Sequence, residues 1–190
     1  MKKDTRLSVF AAICCIMIFN SCGKVANQLA QAITWQGIDV TVTIPAVPDT
    51  TYHSSMGTGT FVYNLDSFVK SKTGSILGMS NIDTFRFTTC TLTIQNPDAA
   101  NNFANFQQAM AQFNTSTNPV TVNLGSIVNN PATYSATLSL PINNTSNLRS
   151  YLPTTGPVTI NYTYAGKLRT ATRVPLTVNL HVDYYIHVTQ

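Results

Sequence analysis

His181, Asp183, Tyr185 and His187 stand at every second position near the end of the chain. Alternate positions of a β-strand face one way, about 7 Å apart, so His181 and Asp183 could reach one cation or act as a base and the carboxylate that orients it. A zinc site wants three or four converging ligands, and the one remaining histidine, His53, lies far away in the chain. The plainer reading of the set is a solvated strand face carrying polar side chains. No metal ion and no cofactor is therefore expected.

Other chemistries find less material. A paired-carboxylate mechanism needs two acids in one cleft, whereas the chain has seven scattered Asp and no Glu. Cys90 stands mid-strand between Thr89 and Thr91, in phase with Leu92 and Ile94, which marks a core thiol and not a nucleophile. Gly57-Thr58-Gly59 is too short for a phosphate loop and has no Lys or helix behind it. Among the aromatics, Trp35, Tyr184 and Tyr185 could offer a stacking platform to a sugar ring. Tyr184 falls in the apolar phase of its strand, which leaves Trp35 and Tyr185 as the exposed candidates. Ligand-binding candidates are thus Trp35, Tyr185, His181 and Asp183, with no catalytic residue assigned.

The element that must position them is the last one. From Leu168 to Val188 every even position is apolar or Thr, and the odd positions carry Arg, Thr, Asn, His, Asp and Tyr together with Ala171 and Pro175. That is the alternation of a strand buried on one face. The run is too long for one strand and is expected to bend or break at Pro175, which has no N–H to give a ladder, as two C-terminal strands in continuous phase or one strand crossing from one sheet to the other. Upstream, Trp35 to Ile44 reads as the first strand, Thr60 to Tyr63 as a second that can begin a few residues earlier, and Leu65 to Val69 as a short helix capped by Asn64 and closed by Gly74. Ile82 to Gln95 is a strand whose apolar phase flips at Thr88-Thr89, as a β-bulge would produce, the alternative being a strand that contributes to one layer and then to the other. Residues 98–114 fit either a helix or a loop followed by a strand, with the second reading favoured. Further strands follow at Val120–Leu124, Tyr134–Ile142 and Val158–Tyr164, with one helical turn at Asn147–Leu152. Ala165-Gly166 is expected to turn the chain into a hairpin between the strand at Val158 and the one starting at Leu168. About seven to nine strands with one or two short helices, and no βαβ rhythm, predict an all-β fold. The expected packing is a single antiparallel β-sandwich, Ig-like in the broad sense, over residues 35–190.

The N-terminus carries a different message. Lys2, Lys3 and Arg6 precede an apolar run from Leu7 to Phe19, too short to span a bilayer and laid out like a secretory signal. Its ending, Phe19-Asn20-Ser21-Cys22-Gly23, resembles the lipobox of bacterial lipoproteins. The resemblance covers about the first 23 residues. It departs from the family at Phe19 and Asn20, where Leu and a small residue are more usual. It implies that residues 1–21 are a signal peptide, that Cys22 is acylated and becomes the new N-terminus, and that residues 22–34 form a lipidated tether. The implied address is the cell envelope, at the outer membrane.

Eleven Lys and Arg against seven acids give a net charge of +4. Three of those basic residues and Asp4 leave with the signal, so about +2 remains, too little to argue for nucleic acid. Cys14 and Cys15 leave as well, and with Cys22 acylated Cys90 has no partner for an intramolecular disulfide. The expected function is a lipid-anchored envelope module, without catalytic activity, that binds a protein or glycan. Two alternatives stand beside it: a pilin-like polymer subunit that donates its C-terminal strand, and a metal-assisted hydrolase using His181 and Asp183. Two or more acyl chains hold a protein stably on a bilayer. Cys22→Ser should therefore move the protein from the membrane to the soluble fraction, and a variant that stays membrane-bound would remove the anchor.

Overall fold

A computed structural model describes residues 30–37, 39–142 and 144–190. The signal, Cys22 and the tether up to residue 29 lie outside the described residues, as do Ile38 and Asn143. In chain order the elements are β1 (Gln31–Trp35), β2 (Asp39–Ile44), β3 (Tyr52–Tyr63), α1 (Leu65–Lys72), β4 (Ile82–Ile94), β5 (Phe106–Thr115), β6 (Val122–Ile127), β7 (Thr137–Ser139), β8 (Val158–Leu168) and β9 (Leu176–Val188). One sheet runs β1-β9-β4-β7 with β2 also paired to β9, and the other runs β3-β8-β5-β6. Every pairing is antiparallel. The fold is thus the expected all-β sandwich.

β9 explains the first sheet. Leu176, Val178, Leu180, Val182, Tyr184, Ile186 and Val188 are all buried, and Pro175 stands just before the strand, where its missing N–H costs no ladder bond. β4 pairs with β9 from Val178 to Val188. The opposite edge is shared, with β2 against Leu176 to His181 and β1 against Tyr184 to Val188. Between those two segments the chain passes Gly37, where a Cβ would stand 1.4 Å from the Val182 carbonyl oxygen. The expected single strand from Trp35 to Ile44 is therefore two, and pairing begins at Gln31, inside the stretch read as tether.

The bulge in β4 is where the apolar phase put it: the register with β9 shifts between Phe87 and Thr89. Phe85 and Phe87 before the shift, and Cys90, Leu92 and Ile94 after it, are all buried. Residues 98–114 are a loop with one 3-10 turn, Phe103–Asn105, followed by β5. Asn64 caps α1, its Oδ1 accepting from the Ser67 amide at 3.0 Å, and Gly74 follows with a φ of +62°. The turn expected at 147–152 is a 3-10 helix at Arg149–Tyr151.

The hairpin expected at Ala165-Gly166 does not form. β8 runs straight through both residues to Leu168, pairs with β3 and β5, and lies in the sheet opposite β9. Gly166 is there for proximity, since a Cβ on it would come within 2.5 Å of the Gln108 carbonyl oxygen. Residues 169–175 make the crossing between sheets instead. Thr172 anchors them by accepting from the Val47 amide at 2.9 Å and donating its own amide to the Val47 carbonyl. Two other strands differ in length from the expectation. β3 begins at Tyr52, and the strand expected over Tyr134–Ile142 shrinks to β7, with Tyr134 exposed.

The sandwich has two distinct ends. Trp35, the last residue of β1, stacks on Tyr63 at the end of β3, ring centroids 4.6 Å apart, and Gln31 and Ile82 both pair with Val188, so β1 lies at the end of the sandwich where β3 and β9 finish. This helix end also holds α1, the start of β4 and the end of β9. The loop end holds residues 45–51, 95–105, 128–136 and 169–175. Gly37→Ala should push the β1–β2 connection off β9 and lower stability by about 3 kcal/mol, the upper part of the range for overpacking; a denaturant midpoint like that of the parent would refute this.

Candidate functional site

The outward side chains of β9 pair across strands. His181 Nδ1 lies 2.9 Å from Asp39 Oδ1 of β2, and its Nε2 lies 3.2 Å from Asp183 Oδ1. Asp183 also accepts from the Gly37 amide at 2.9 Å and the Thr89 hydroxyl at 2.6 Å. Burial pushes the Asp183 carboxyl up, but the bonds from Thr89 and Gly37 and the nearby His181 outweigh it and hold the group below its ordinary 3.8. His187 Nδ1 meets Asp83 Oδ1 at 2.8 Å. The Arg86 guanidinium lies 4.4 Å from the Tyr185 ring centre, a cation–π contact. These are cross-strand ties between β2, β9 and β4. With both His181 nitrogens engaged by carboxylates, the ring has none left for a substrate. Among the described residues no group of three or more His, Cys, Asp or Glu is arranged to hold a metal ion. Cys90 is buried, and desolvation pushes its thiol up to about 12.

Trp35 lies elsewhere. It pairs with Tyr184, whereas Tyr185 pairs with Thr34, so Trp35 and Tyr185 point to opposite faces of the same sheet. Trp35 is only 4 % exposed, stacked on Tyr184 at 4.4 Å and on Tyr63 at 4.6 Å. Trp35 is thus buried and not the exposed candidate offered by the sequence, while Tyr185 is half-buried on the other face, so the two rings form no joint platform. A ring in contact with two others cannot lie flat against a sugar as well.

Trp35 instead forms the inner wall of an open groove of about 490 Å³, lined also by Thr34, Gln36, Tyr63, Phe68 and Lys72. Tyr63 and Phe68 are half-buried and accessible, with centroids 6.2 Å apart and 5.8 Å between Phe68 and Trp35. The Lys72 ammonium stands 5.7 Å from the Phe68 ring centre. Desolvation raises the Tyr63 phenol above its ordinary value, so it stays a neutral donor and acceptor. The cap at Asn64 sets where Phe68 and Lys72 fall, one turn apart on α1. Asp66 fixes the helix, accepting from Lys70 Nζ at 2.6 Å and the Met79 amide at 2.8 Å. The groove has an aromatic wall and a rim of hydroxyl, amide and ammonium, a lining that suits a ring with apolar faces and polar edges.

The sequence does not announce this site. Tyr63 reads as a strand end and Phe68 as part of an amphipathic turn, and only the packing of α1 against β1 and β3 joins them to Trp35. A second cleft of about 480 Å³ opens at the loop end, with Asn101, Asn105, Thr170 and Arg173 in its lining and no aromatic ring.

Geometry up to this point defines the class of the molecule as a two-sheet antiparallel β-sandwich. Neither a protein-family model nor a curated protein matches the sequence. Among solved structures, the infectious bursal disease virus VP2 subviral particle is similar over 84 % of this chain and 32 % of its own, at 8 % identity and a TM-score of 0.37. This chain spans about a third of the length of the infectious bursal disease virus chains it resembles. The Desmodium yellow mottle tymovirus structure is similar over 85 % of this chain and 89 % of its own, at 13 % identity and a TM-score of 0.27. A carbohydrate-binding module of the β-sandwich superfamily is similar over 83 % of this chain and 57 % of its own, at 10 % identity and a TM-score of 0.28. At these scores the likenesses carry no functional argument.

The Asp183 carboxyl is depressed in the folded chain, so its contribution to stability is present above the ordinary carboxylate value of 3.8 and is lost as pH falls through the lower folded value. Replacing Asp183 with Asn should lower the melting temperature at neutral pH, and the gap from the parent should narrow below that value. A gap that stays constant from pH 7 to pH 2.5 would show that the charge of Asp183 adds nothing.

Proposed function

We propose that this chain is a lipid-anchored protein of the bacterial cell envelope whose sandwich binds a glycan and has no catalytic activity of its own. The anchor is Cys22, on the strength of the lipobox resemblance. The observation that carries the glycan reading is the groove between β1, β3 and α1. Tyr63 and Phe68 present apolar ring surface to the C–H faces of a sugar, while Thr34, Gln36 and Lys72 supply hydrogen-bonding groups for hydroxyls at the rim.

The other two readings find less support. A hydrolase built on His181 and Asp183 has its imidazole tied on both nitrogens, and the thiol of Cys90 is sealed in the core. A pilin that donates its C-terminal strand would have to release β9, which is paired along both edges and supplies seven side chains to the core.

Detergent-solubilised full-length protein, screened against an oligosaccharide panel, should retain a subset of glycans. Tyr63→Ala should weaken that binding tenfold or more, about 1.4 kcal/mol, while Tyr185→Ala, on the opposite face of the first sheet, should leave it unchanged. A panel that yields no ligand, or binding indifferent to Tyr63, would sink the glycan reading.

A further inference from the structure

Among the described residues, the seven exposed large apolar side chains divide between the two ends of the sandwich. Val62, Ile76 and Val120 lie at the helix end, and Tyr52, Val128, Tyr134 and Val174 at the loop end. Exposure alone does not choose between them; the tether does. Nine residue steps separate Cys22 from Gln31, and at up to about 3.6 Å each they span at most about 32 Å, whatever conformation they take. Gln31 enters β1 opposite Val188, at the helix end. β9 is 13 residues long, about 40 Å at the rise of an antiparallel strand. With the loop end on the bilayer, Gln31 would stand a full strand length above it, beyond the reach of the tether.

We propose that the helix end rests on the membrane, with Ile76 and Val120 entering the lipid headgroup layer. The proposal rests on lipidation at Cys22 and adds to it the lipid-facing surface of the domain. Ile76 is 67 % exposed and Val120 64 % exposed. Ile76 is held out by a braced turn and not by a loose one. Gly74 and Ser75 both take left-handed backbone, with φ of +62° and +67°. The Ser75 amide donates to the Lys70 carbonyl at 2.7 Å. The Thr73 hydroxyl bonds the Leu77 carbonyl at 3.0 Å and meets the Leu77 amide at 3.2 Å. Leu77 is thereby drawn into the core while Ile76 is turned outward. A non-glycine residue in that conformation is uncommon and costs energy that its surroundings must offset.

Single cysteines at four positions test the orientation. Cys90 is buried and Cys22 is acylated, so an introduced thiol is the one that takes a label. Full-length protein carrying Ile76→Cys, Val120→Cys, Val128→Cys or Val174→Cys is labelled with a polarity-sensitive dye and reconstituted in phosphatidylethanolamine–phosphatidylglycerol vesicles. Dyes at 76 and 120 should be blue-shifted and quenched by lipids brominated on the acyl chains, whereas dyes at 128 and 174 should be quenched by aqueous iodide. If the protein pellets with vesicles through Cys22 but 76 and 120 are as open to iodide as 174, the orientation falls and the anchor stands. A dye at 76 in lipid with one at 120 in water would mean a side-on pose and also overturn it. If Cys22→Ser pellets like the parent, the anchor fails and this proposal with it.

Discussion

Pairing of β9 along both its edges is the constraint on which the molecule depends. A strand bonded on both sides and buried on one face cannot slip in register by one residue without turning its apolar row to solvent. Its inward row therefore sets the layer to which the second sheet must conform. Tyr184 is the centre of that layer. It stacks on Trp35 and Phe85 at 4.4 and 5.2 Å, and its hydroxyl bonds that of Tyr162 across the core. Aromatic pairs of this kind add about 0.5–1.5 kcal/mol each beyond the area they bury. The hydroxyl pair matters because a buried polar group without a partner costs more than a made bond gains.

How much of this could be read from the sequence follows from the range of the forces involved. Alternation is local, so the buried row of β9, the bulge at Thr88-Thr89 and the capped helix at Asn64 were all legible. Partner choice is not local. Ala165-Gly166 carries turn chemistry, yet Gly166 is needed where β8 and β5 approach closely, and a glycine recruited for proximity looks the same in sequence as one recruited for a turn. The break between β1 and β2 was hidden for the same reason, because the Val182 carbonyl that excludes a side chain at Gly37 belongs to a strand about 145 residues away.

The candidate residues sorted by face. His181, Asp183, Tyr185 and His187 do share one face, as the alternation required, but each meets a partner on a neighbouring strand, and the set ties strands together. The groove leaves no sequence pattern because its aromatic members come from three elements that no periodicity connects. The ring faces of Trp35 are spent on Tyr63 and Tyr184, so the surface open to a ligand belongs to the residues that packing brought beside it.

Scarcity of charge shapes the rest of the surface. With charged residues making up 9 % of the chain, the outer faces are bonded largely by neutral side chains. The Thr41 hydroxyl donates to Asn179 Oδ1, which also accepts from Gln95, and the Thr60 hydroxyl donates to Asn161, which donates to Asn114. Bonds of this kind do not titrate and are little screened by salt. Acid sensitivity is consequently concentrated in the few carboxylates that accept several bonds. Asp49, Asp66, Asp83, Asp98 and Asp183 are each held below the ordinary carboxylate range by the donors that surround them. Four of the five organise a turn or a junction between elements: Asp49 the loop before β3, Asp66 the α1–β4 connection, Asp98 the loop before β5, and Asp183 the β1–β2 break. Acid therefore reaches the corners of the molecule and the outward ties of β9 first, because among the described residues the buried rows of the two sheets carry no carboxylate and no histidine.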